Sequence, residues 1–142
     1  MKHQIINLVC KTLKASSAVK ALVDMRIYQE GLASKLIDQD KDNTVYPCIT
    51  VELDNNENHG GMDEINSGML IINCISKQGY VQANKIWDAI HPLLQSKLLS
   101  DDNYNITTSR DFQKNGDNSV DITMEPKTYR ASGRLSIVTF EK

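Results

Sequence analysis

The side chains able to do chemistry are scattered along this chain. Its three histidines, His3, His59 and His91, lie far apart. A serine or cysteine nucleophile needs a base beside it and a third group to orient that base. No serine or cysteine here stands in a motif that supplies both. His59 is the one histidine in acidic company, with Asp54, Glu57, Asp63 and Glu64 around it and Gly60-Gly61 beside it. Imidazole and carboxylates are ligand types for a cation, but a hard cation asks for a fixed oxygen cage. A stretch of Asn, Gly and acids reads instead as a solvated loop. Asp101-Asp102 reads as a turn and helix-end cluster, not as a general acid/base pair. Gly60-Gly61 has no following Gly-Lys-Ser/Thr, so it is no phosphate loop. Cys10, Cys48 and Cys74 are widely spaced, form no CxxC and sit in apolar segments, and are expected to be buried free thiols. No catalytic residue, cofactor or metal set emerges, and an enzyme is not expected.

What stands out in place of a reactive set is an uneven distribution of charge. The formal net charge is only −2 over 142 residues. Residues 38–64, however, hold eight acids against Lys41 alone, whereas residues 1–37 hold six bases and two acids. Such separation lets a negative surface of one copy meet a positive surface of another. Asp54, Glu57, Asp63 and Glu64 are therefore the candidate partner-interface residues. Direct sequence-specific nucleic-acid binding is not expected, because the bases are scattered and the acids are clustered.

The elements that must position these residues follow from periodicity. Ile5, Ile6, Leu8, Val9 and Leu13 recur at helical spacing, with lysines between them. Ser16-Ser17 can break that helix and cap a short piece over Ala18 to Val23. Arg26-Ile27-Tyr28 reads as a short strand, and Gly31 to Thr44 as a polar loop. From Val45 to Leu53 alternate residues are apolar, the pattern of a half-buried strand with Pro47 near its start. Residues 54–64 read as a mobile acidic loop. Met69 to Ile75 is apolar on both faces, as in an interior strand.

Ala83, Trp87, Ile90, Leu94 and Leu98 make a helical stripe within Val81 to Leu99, with a kink or restart expected at Pro92. Tyr104 to Phe112 alternates, Asn115-Gly116 signals a hairpin into Val120, Ile122 and Met124, and a last strand spans about Tyr129 to Phe140. The fold class expected is α+β, an antiparallel sheet with two main helices packed on it, as a single domain over residues 1–142. No apolar run approaches the roughly 18 residues a membrane helix needs. The N-terminus lacks the pattern of a signal peptide, which leads to the expectation of cytosolic synthesis.

Several segments in order resemble the tail terminator (tail completion, tail-to-head joining) family of long-tailed bacteriophages. They are Ala18–Tyr28, the strand Tyr46–Val51, Ile71–Ser76 before a glycine, the helix Val81 to Leu99, and Gly133–Val138. Pro92 and the polar stretch 31–44 depart from the pattern. The resemblance implies a small α+β subunit of a hexameric ring. It implies that the ring stops polymerisation of the tail tube and joins the tail to the head, with the tail tube protein and the head–tail connector protein as partners. It also implies a place at the head-proximal end of the virion tail, assembled in the host cytoplasm. No single interface residue carries over from it. The alternative expectation is a small α+β ligand- or partner-binding module of a cellular protein.

Overall fold

The computed structural model describes residues 2–29, 46–59, 62–114, 119–121 and 128–141. Helix α1 spans Lys2–Lys14. Its stripe of Ile5, Ile6, Leu8, Val9 and Leu13 is buried, and each such side chain taken from water is worth roughly 1.5–3 kcal/mol. Lys11 and Lys14 fall in its last turn, where cations complement the helix dipole. Helix α2 spans Ser17–Val23 and begins where the Ser16 hydroxyl accepts a hydrogen bond from the Val19 amide. It ends at Asp24, whose backbone has a φ of 56° and whose N–H donates to the Lys20 carbonyl at 2.8 Å.

Helix α3 spans Tyr80–Leu94 and buries Ala83, Ile86, Trp87, Ile90 and Leu94. Gly79 leads into it with a φ of 130°, a backbone state that a residue with a Cβ rarely adopts. Pro92 lies inside this helix, which runs on to Leu94, so the restart expected there does not occur. The proline sits in the last turn, where one missing amide interrupts little of the ladder. The helical stripe was also expected to reach Leu98. Leu98 instead opens a strand and is exposed, and Leu99 is the buried one. Period-two burial has replaced period-three-to-four burial across a break at Gln95 to Lys97.

The strands are β1 (Ile27–Gln29), β2 (Cys48–His59), β3 (Met62–Ser76), β4 (Leu98–Ser100), β5 (Tyr104–Thr108), β6 (Gln113–Lys114), β7 (Ser119–Asp121) and β8 (Thr128–Glu141). They form one sheet in the order β1-β2-β3-β8-β5-β4, with β6 and β7 also paired to β8. One correction to the expected fold class follows. The sheet is mixed, because β1 runs parallel to β2, pairing Ile27 with Ile49 and Gln29 with Val51. Eighteen residues separate those two strands in sequence, and a connection of that length permits a parallel crossover that a short turn would forbid. There are also three helices among the described residues, the third, α2, lying over the short piece expected at Ala18 to Val23 beside the two main ones. The expected loop over Gly31 to Thr44 lies outside the described residues.

The Asn115-Gly116 hairpin is a further correction. Strands β6 and β7 do not pair with each other. Gln113 pairs with Arg134 and Ser119 with Arg130, while β5 pairs Thr108 with Ile137. All three thus run in one direction along the same side of β8, like one strand interrupted twice. Residues 115–118 and 122–127, with Ile122 and Met124, lie outside the described residues.

The core lies between the sheet and the helices. Helix α1 touches β1, β2 and β4, which stand at opposite ends of the strand order, so the sheet curls around it. Helix α3 packs on β3 and β8, and α2 packs on α1 and α3. Ile49, Val51, Leu53, Leu70, Ile72, Cys74, Ala131, Leu135 and Ile137 face these helices and are buried. Trp87 rests against Phe112 with ring centroids 4.7 Å apart, and His91 stacks on Phe112 at 5.4 Å.

Candidate interaction surface

The face of the sheet turned away from the main core carries the polar and charged residues. Its rows follow from register. Thr50 pairs with Asn73 and Asn73 with Ser132. The Asn73 amide donates to the Thr50 hydroxyl at 3.1 Å, and the Ser132 hydroxyl donates to the Asn73 side-chain oxygen at 2.6 Å. Three strands are thereby tied by side chains as well as by backbone. Towards the C-terminal end of β8 and the facing part of β3, apolar residues join this face. Met69, Ile71 and Val138 are half-buried there, and Phe140 is 37% exposed.

One row nearer the start of β2, Cys48, Ile75 and Arg130 align across the sheet. Tyr28 and Tyr46 pack on Cys48 and Ile75, making a small second cluster on this outer face. Three cations gather around it. The Arg26 Nε donates to the Pro47 carbonyl at 2.8 Å. The Lys77 Nζ lies 4.8 Å from the Tyr46 ring centre, a cation–π contact. The Arg130 Nε is buried with no hydrogen-bond partner among the described residues. All three residues and both tyrosines are half-buried, hence reachable from solvent.

Burial pushes the Cys48 thiol up to about 12, against the opposing pull of the Arg26 and Arg130 guanidiniums. Burial also raises Cys74 and, with Lys14 opposing, Cys10. All three cysteines are free and buried, as their apolar settings led one to expect. Held as neutral thiols, they are poor nucleophiles and poor ligands.

The acidic candidates stand at the other end of the same strands. The expectation of a loop over 54–64 is corrected here: β2 continues to His59 and β3 begins at Met62. Asp54 pairs with Met69, Glu57 with Ser67, Asn58 with Asn66 and His59 with Met62. The register slips between Asp54 and Glu57 and again between Asn58 and His59. Asp54 and Glu57 thus flank the first bulge, and Asp63 and Glu64 fall within the second. A strand ladder is built from backbone groups and needs no apolar side chain at its tip, which is why polarity misled the sequence reading. The usable sign was spacing. Only Gly60-Gly61, which lie outside the described residues, separate His59 from Met62, and two residues of that type are a hairpin signal. Of Asp54, Glu57, Asp63, Glu64 and His59 the backbone alone is described.

Compared with protein-family models and with curated proteins, the chain matches none.

Among the described residues no three His, Cys, Asp or Glu side chains gather as a metal would require. Among those residues no helix is long and apolar enough to cross a membrane. His91 is half-buried and packed, with its Nε2 at 2.5 Å from the Phe112 carbonyl oxygen, a structural bond that ties α3 to the stretch between β5 and β6. Arg26, Lys77 and Arg130 were missed by the sequence reading. They are about 50 residues apart in sequence, and only the pairing of β1, β2, β3 and β8 brings them to one end of the sheet.

Proposed function

We propose that this chain is a ring-forming tail terminator of a long-tailed bacteriophage. In this reading a single-domain subunit closes into a hexamer that ends tail-tube polymerisation and joins the tail to the head. It acts by binding the tail tube protein and the head–tail connector protein, not by catalysis.

One observation carries the reading: the segments that bear the family resemblance are neighbours in a single sheet-and-helix unit. Ala18–Tyr28 covers α2 and β1, and Tyr46–Val51 leads into and opens β2. Ile71–Ser76 closes β3, α3 follows it, and Gly133–Val138 is the middle of β8. Strands β1, β2, β3 and β8 are consecutive across the sheet, and α3 packs on β3 and β8. The separation of basic and acidic ends along those strands supplies two unlike surfaces. Unlike surfaces are what a head-to-tail ring contact needs.

Electron microscopy of the purified protein, alone and with tail tube protein polymerising, tests this. Rings and tubes of limited length are expected. A strict monomer that leaves tube growth unrestricted would overturn the reading.

A further inference from the structure

We infer that the half-buried basic cluster of Arg26, Lys77 and Arg130 receives the acidic β2–β3 hairpin tip of a second copy of this chain.

The cluster is built, not incidental. Arg26 is anchored through its Nε on the Pro47 carbonyl, and Lys77 is held over the Tyr46 ring. Arg130 stands beside Ile75 and Cys48 in the sheet and keeps a buried Nε without a hydrogen-bond partner among the described residues. Arg130 as a whole is only half-buried, and a carboxylate is the best acceptor for the part of a guanidinium that solvent reaches. Tyr28 and Tyr46 pack on Cys48 and Ile75 beside the cations, and a charge contact next to such partly buried surface is screened less than one in open water.

The occupant is identified by charge and by placement. Glu57, Asp63 and Glu64 belong to the tip of the hairpin, with no base between Asp54 and Glu64. The nine residue steps from Cys48 to Glu57 put tip and cluster roughly 30 Å apart on one subunit. The tip therefore cannot fold back onto its own cluster. It can reach the cluster of a neighbour, and that contact is heterologous: each subunit gives one surface and accepts with the other. Closure of such contacts into a ring rests on the function proposed above, whereas the contact itself does not.

The test is reciprocal charge reversal in the full chain. One variant carries Lys77→Glu with Arg130→Glu, the other Glu57→Lys with Glu64→Lys. Circular dichroism first checks that each is folded. Where Arg130→Glu prevents folding, Lys77→Glu alone replaces it. Light scattering after size exclusion then follows association across a dilution series. The wild type should associate, less so as sodium chloride rises from about 50 mM to 500 mM, since screening weakens the contact. Each variant alone should associate roughly tenfold more weakly or worse, because like charges now face each other. An equimolar mixture should recover assembly, because each reversed surface meets its reversed complement. Variants that associate like the wild type would overturn the inference, as would a mixture that fails to recover. Unchanged association with lost binding to a duplex DNA probe would also overturn it, in favour of a nucleic-acid occupant. Capping of tail tubes, measured separately, reports on the proposed function: wild type that associates as described yet leaves tubes uncapped would sink that function and leave the contact standing.

Discussion

Helix α3 and the β2–β3 hairpin tip obey opposite rules. The helix is held by what its side chains bury: Trp87 is 5% exposed and touches Phe112, while Ile86, Ile90 and Leu94 are fully buried. The tip is an ordered ladder in which Glu57 still pairs with Ser67 and Asn58 with Asn66. Its sequence from Asp54 to Glu64 offers Met62 as the only large apolar residue. The first region is stable because of its composition. The second is regular despite its composition, carried by backbone pairing that continues from a well-buried sheet. Regular structure and stability are thus separate properties in this molecule, and only the first needs to extend to the charged end.

The comparison can be broken or sharpened by experiment. The largest effect is expected at the helix: Trp87→Ala should cost roughly 3–5 kcal/mol, read as the midpoint of denaturant unfolding. A loss under about 1 kcal/mol would mean that α3 is not held by its buried ring.

Next is alkaline pH, acting on the buried outer cluster between the two regions. A thiol kept neutral by the fold stabilises it only while the unfolded thiol is neutral too. Above pH about 9 the unfolded chain gives up a proton that folded Cys48 keeps until about 12, so stability falls with rising pH across that window. Between pH 8 and 11 the melting temperature should fall by a few degrees less in Cys48→Ala than in the wild type. Parallel slopes would contradict the burial of this thiol.

A smaller effect is expected from Asn73→Ala, which leaves the Thr50 and Ser132 hydroxyls without their shared partner: roughly 1–2 kcal/mol. Smallest of all is the tip. Replacing residues 55–64 by a short Gly-Ser connection should lower the melting temperature by only a few degrees, about 1 kcal/mol. A collapse of the fold on that replacement would erase the contrast between the two regions.

The same contrast explains what was legible in the sequence. Wherever an apolar stripe met a single period, the element was readable: α1 from Ile5 to Leu13, the start of β2 from Ile49 to Leu53, α3 from Ala83 to Leu94. Where backbone pairing alone sustains structure, it was not, and Asp54 to Glu64 read as a loop. Strand direction was hidden too, since alternation at Ile27 and Tyr28 says which face is buried but not whether β1 runs with β2 or against it. The Asn115-Gly116 signal misled because local turn preference was weighed without β8, which takes both β6 and β7 on one side. The acidic half of the candidate surface was visible as a run of residues. Its basic half was not, because Arg26, Lys77 and Arg130 reach one end of the sheet only through the pairing of β1, β2, β3 and β8.

The curl of the sheet around α1 carries a consequence for the order of events during synthesis. Helix α1 is made before its partners β2 and β4, which begin at Cys48 and Leu98. At roughly 5–20 residues per second, several seconds pass between the emergence of the helix and that of the strand that completes its enclosure. Throughout that interval the stripe of Ile5, Ile6, Leu8, Val9 and Leu13 has no finished sheet to cover it. Helix α1 is therefore a stretch of this chain with much to gain from a chaperone at the ribosome.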